Sequence, residues 1–174
     1  MTDRVDPPGQ ADEAEMLVAF LDYYRATLLF KADGLTDEQA RTASVPPSDL
    51  NIMGLIRHMT EVERNWFQRW MIKADAPGIY GDDDDPDEDR DMHPGADDTL
   101  ADAIALFQRE VEISRQITAN ATPETPAVHV GESVNWAGFH PSLRWILIHM
   151  IEEYARHCGH ADLLRERIDG AVGD

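Results

Sequence analysis

The chain has 174 residues, enough for one domain whose core needs no cross-links. Its 34 acidic against 15 basic side chains leave a formal charge of −19, which makes nucleic acid and anionic membrane surfaces poor partners, since both select a basic patch. No apolar run approaches the roughly eighteen residues of a membrane span. The opening MTDRVDPPGQADEAE is polar and acidic where a secretory signal is apolar. The single cysteine, Cys158, allows no internal disulfide, so a cytoplasmic location is expected.

In chain order, residues 1–10 read as a loose tail ahead of a single domain spanning 1–174. A first helix is expected over 11–32, with Leu17, Phe20 or Leu21, Tyr24 and Leu28 inward and Gly34 as its stop. Thr36 and Gln39 match a capping box, which predicts a short helical turn to about residue 43. Val45-Pro46-Pro47 ends it. A second helix is expected from an N-cap at Ser48 to about residue 74, its inward stripe being Ile52, Leu55, Met59, Val62, Trp66 and Trp70. His58 shares or borders that buried face.

Residues 81–91, GDDDDPDEDRD, concentrate acidic charge in a segment without apolar side chains. Such a run reads as a solvated loop. It lacks the glycine and terminal glutamate of an EF-hand, and Pro86 interrupts it. Thr99 can cap a third helix carrying Leu100, Ile104, Phe107, Val111 and Ile117. Residues 121–141 are irregular, with no strand to count on at 128–130. Pro141 and Ser142 can then open a fourth helix that Gly170 closes. Four long amphipathic segments without a strand pattern predict an all-α four-helix bundle with long inter-helix loops. Bundles of this size often pair through apolar helix faces, so a homodimer is compatible with the sequence.

The fourth helix carries the chemistry. His149, Glu153, His157 and His160 follow at steps of four, four and three, which puts them on one face beside the apolar stripe. A buried carboxylate among imidazoles is costly unless a cation pairs with it, and a metal ion is the simplest such cation. An i,i+4 pair is a good two-point start for zinc, and His58, the only histidine inside the first three helices, can supply a third ligand. Three protein ligands leave a fourth position open, the mark of a catalytic zinc. Spacing alone leaves two pairs, Glu153 with His157 or His149 with Glu153. His160 fits a supporting or substrate-facing role better than a ligand. Cys158 points about 100° away from His157 and reads as a buried, inert thiol. Trp66, Trp70 and Trp145 read as core, and Trp136 and Phe139 as pocket lining.

The segments NIMGLIRHMTEVERNWF and LRWILIHMIEEYARHCGHADLLRERIDG resemble the two signature helices of the DinB-like superfamily. More narrowly they resemble its mycothiol-dependent branch, which includes thiol S-transferases and maleylpyruvate isomerase. The resemblance implies a divalent metal, zinc above all, held between the second and fourth helices by His58, Glu153 and His157, with no catalytic residue beyond these ligands. It makes His149 a pocket residue and puts His160 where the common pattern has glutamine, so His149, His160 and Trp136 are the expected substrate contacts. The implied activity is a thiol S-transferase that joins mycothiol to electrophilic small molecules for detoxification. The alternatives are a mycothiol-dependent isomerase on the same site and a metal-stabilised binding bundle without turnover.

Overall fold

The computed structural model describes residues 4–81, 89–134 and 136–173. Most of the acidic run, residues 82–88, and the expectation of a solvated loop there lie outside the described residues. Every named element is helical: α1 (Glu13–Ala32), a single turn α2 (Asp37–Ala40), α3 (Ile52–Glu63) continuing in π-helical winding over Arg64–Met71, α4 (Leu100–Ala119) and α5 (Leu143–Asp169). The expected all-α bundle is the observed architecture, and its pairing is limited to an isolated antiparallel bridge between Pro126 and Ser142 among the described residues. No helix among them is long and apolar enough to cross a membrane.

The caps explain where the helices begin. Asp12 accepts from the Glu15 amide at 2.9 Å, and Glu13 and Glu15 add negative charge where the helix dipole favours it. Thr36 and Gln39 form the expected reciprocal capping box. The second long helix departs from expectation at both ends. Ser48 lies in the turn after the proline pair, its amide donating to the Val45 carbonyl at 3.0 Å. The helix is therefore capped three residues later, by Asn51 accepting from the Gly54 amide at 2.8 Å. At its far end the winding widens to the i→i+5 pattern, and Lys73 at φ 52° turns the chain away. Ser142 caps α5, and Gly170 at φ 77° supplies the left-handed residue that closes it.

Helix α1 packs chiefly against α5, and α3 against α4, while α3 also meets α5 and α1. The core between them holds Leu28, Ile52, Met59, Phe67, Phe107, Ile146 and Met150, all fully buried. Each such side chain contributes about 1.5–3 kcal/mol from burial. Of the two alternatives on α1, Leu21 is inside and Phe20 outside.

One charged cluster sits in this core. Arg25 of α1 makes a two-pronged contact with Glu63 of α3, both nitrogen–oxygen distances being 2.7 Å, and the Tyr154 hydroxyl of α5 donates to the same carboxylate at 2.7 Å. Glu63 is wholly buried and Arg25 nearly so. Burial alone would lower the Arg25 pKa, but Glu63 beside it raises it further than burial lowers it. Burial, reinforced by Glu63, holds Tyr154 protonated. Three helices are thus fixed to one another at one neutral cluster.

Candidate metal centre

On either side of Tyr154 in the chain, α5 carries a second carboxylate–base grouping of a different kind. One ligand-type atom from each of His58, Glu153 and His157 lies within 4.8 Å of the other two. Within α5, His157 Nε2 is 3.4 Å from Glu153 Oε2, the geometry of residues one helical turn apart. From α3, the His58 ring meets that of His157 with centroids 4.9 Å apart.

The orientation of His58 is set from outside the pair. Its Nδ1 lies 2.9 Å from Asp91 Oδ2, which leaves Nε2 as the free ring nitrogen on the side of the group. Asp91 reaches this position because the chain before α4 passes directly over α3 at Gly54. A Cβ there would collide with the Met92 carbonyl oxygen, and the Asn51 amide group donates to that same oxygen at 3.2 Å. Gly54 and His58 are one turn apart, so the glycine that admits the crossing strap also aligns its aspartate with the imidazole. Burial opposes ionisation of Asp91, yet the hydrogen bond and charge of His58 outweigh it and hold the Asp91 pKa below its ordinary value.

The charge on Glu153 has no ordinary partner. Among the described residues the groups within ion-pair distance of it are imidazoles, His157 and, at 3.6 Å from Oε1, His149. Burial first, and then the neighbouring His58 and His160, push the His157 imidazole down to about 4. A neutral imidazole leaves the carboxylate charge unbalanced, whereas deprotonated nitrogen and oxygen donors are what a divalent cation binds. The donor set therefore fits a metal ion. A second candidate group, His149, Glu152 and Glu153, shares the same carboxylate, but Glu152 is exposed and already paired with Arg156, and all three residues sit on one helix.

A family description of mycothiol-S-transferase matches residues 16–170. The chain belongs to that family. It is one of the DinB-like families, in keeping with the bundle described above. A crystal structure of a conserved protein from Enterococcus faecalis superposes with a TM-score of 0.61 at 13% identity, covering 93% of this chain and 100% of that one. At that identity the likeness concerns the fold alone. No curated protein matches the chain by sequence.

In this mycothiol-S-transferase family member, the structure brings most of the sequence candidates to one place. His58, Glu153 and His157 converge, His160 Nδ1 lies 3.4 Å from His157 Nδ1, and His149 touches Glu153 from the other direction. Trp136 is one ring removed: it meets Trp66 at 6.3 Å between centroids, and Trp66 meets His149 at 4.7 Å. Cys158 is buried with its thiol on the Tyr24 carbonyl at 3.7 Å, and burial pushes its pKa up to about 12. Trp145, expected in the core, is instead 36% exposed, lying between Trp66 and the loop residue Phe139 at the edge of the bundle.

Sequence reasoning missed Asp91. It is the last residue of the acidic run, and nothing in composition separates it from its neighbours; the close approach that Gly54 permits is the signal. It also missed Arg25 and Glu63, whose pairing between two helices leaves no trace in spacing.

Proposed function

We propose that this family member is a zinc-dependent thiol S-transferase, with His58, Glu153 and His157 as ligands, mycothiol as thiol donor and an electrophilic small molecule as acceptor. The observation that carries the reading is the convergence of His58, Glu153 and His157, with no lysine or arginine within ion-pair distance of the half-buried Glu153 carboxylate among the described residues. A divalent ion bound there would lower the pKa of an entering thiol enough to make it a nucleophile at neutral pH.

The chain's own contribution is to hold and shield. Asp91 fixes the His58 ring so that one nitrogen faces the group, as a carboxylate behind a metal-binding histidine does. The buried Arg25–Glu63–Tyr154 cluster locks α5 against α3 and so keeps the ligands of two helices in register. His149 and His160 flank the ligands along α5, where they can contact substrates. Trp66 covers the His149 side and limits water there.

The test is elemental analysis of the purified protein, followed by incubation with mycothiol and a chromogenic electrophile. The reading predicts about one zinc per chain and thioether formation that stops when a chelator removes the metal. Metal-free protein that still forms product at the same rate would refute it.

A further inference from the structure

All four tryptophans of the chain meet at one point, on the N-terminal side of Glu153 along α5. The π-helical winding stacks Trp66 on Trp70 at 5.4 Å with 27° between planes. Trp145 lies 5.1 Å from Trp66, and Trp136 lies 5.9 Å from Trp70. Phe139 closes the set against Trp136 and Trp145, at 4.9 Å from each. The His149 ring, stacked on Trp145 at 4.9 Å and 19°, joins this wall to Glu153. Trp136 and Trp145 are 42% and 36% exposed, so the wall is not simply core.

We infer that this wall seats the acceptor substrate, and that the acceptor is a planar aromatic electrophile. The inference rests on the thiol-transfer reading of the adjacent metal centre. The polar atoms that the wall's own rings present are indole N–H groups and imidazole nitrogens, which would leave the many hydroxyls of a sugar-linked thiol unpaired. Flat electron-poor rings, by contrast, gain from offset or edge contact with indoles. His160 and Asp91 lie with His157 and His58 toward the C-terminal end of the α5 site, the end suited to the hydrophilic thiol, whereas Glu152 beside His149 is already paired with Arg156. The acceptor and the thiol therefore approach from opposite ends of the ligand group.

Two measurements test this. In metal-free protein, 2,4-dinitrotoluene, which has no leaving group, should quench tryptophan emission saturably, and Trp136→Leu should weaken that binding by roughly threefold to tenfold, the size of one lost ring contact. In metal-loaded protein, mycothiol is offered 1-chloro-2,4-dinitrobenzene or iodoacetamide. With the aryl chloride the sulfur–carbon bond forms before the carbon–chlorine bond breaks; with the alkyl iodide the two changes are concerted. In both, the halide leaves with the electron pair and the thiol proton goes to buffer. The ratio of kcat/KM for the aromatic over the aliphatic acceptor should fall by a similar roughly threefold to tenfold in Trp136→Leu. An unchanged ratio, linear quenching identical in both proteins, or a dimer that Trp136→Leu converts to monomer would overturn the inference. If neither acceptor reacts, the transfer reading fails, while the quenching titration still decides the wall.

Discussion

Two glutamates ninety residues apart in sequence, Glu63 wholly buried and bonded to Tyr154, Glu153 half-buried and preceding that tyrosine in α5, are treated in opposite ways. Glu63 receives a guanidinium in two-pronged contact and a tyrosine hydroxyl, all at 2.7 Å, so its charge is balanced by the protein. Glu153, next to that tyrosine in the chain, is given the imidazoles of His149 and His157, the second held neutral by burial. The first arrangement is complete and holds three helices together. In the second, imidazoles and no lysine or arginine lie within ion-pair distance of the carboxylate among the described residues, and the proposed metal site rests on that difference.

The contrast can be broken first at its structural half. Arg25→Ala leaves Glu63 buried without its cation and should cost about 3–5 kcal/mol of stability, read by urea unfolding, while the folded fraction still binds zinc. A loss below about 1 kcal/mol would mean that the pair behaves like a surface salt bridge. At the other half, His58→Ala should remove most bound zinc with little change in the unfolding of metal-free protein. One equivalent of metal retained in that variant would disprove the ligand assignment. Asp91→Asn should be milder, weakening zinc about tenfold to a hundredfold by loosening the His58 ring; affinity equal to wild type in a competition titration would remove Asp91 from the site.

The smallest effect concerns Cys158. Its raised pKa means the folded state keeps the thiol proton after the unfolded state has lost it. The associated stability is therefore present below the ordinary thiol pKa and declines as pH rises toward about 12. At pH near 8 the native thiol should resist iodoacetamide and react only on unfolding. Rapid native labelling would place it at the surface or in the chemistry.

The periodicity of the four long segments was enough to read the bundle, because burying one face of each helix leaves a stripe in the sequence. The i,i+4 run on α5 made the histidines and Glu153 legible in the same way, and the family resemblance chose between two ligand pairs. What stayed hidden depends on contacts between distant segments. Asp91 counts as one acid among many until Gly54 brings its strap against α3. Arg25 reads as an exposed base until Glu63 faces it. The cap at Asn51 was masked by Ser48, a better-looking residue held in a turn. The tryptophans were read one helix at a time, so their convergence across α3, α5 and the loop between α4 and α5 was invisible.

The most direct test of the unbalanced charge is thermal unfolding of wild type and Glu153→Gln, each with and without zinc. If Glu153 awaits a cation, the metal-free variant unfolds at or above the wild-type temperature, and zinc raises the wild type but not the variant. A metal-free Glu153→Gln that is clearly less stable than wild type, or that zinc stabilises equally, would show that Glu153 is satisfied within the fold, as Glu63 is.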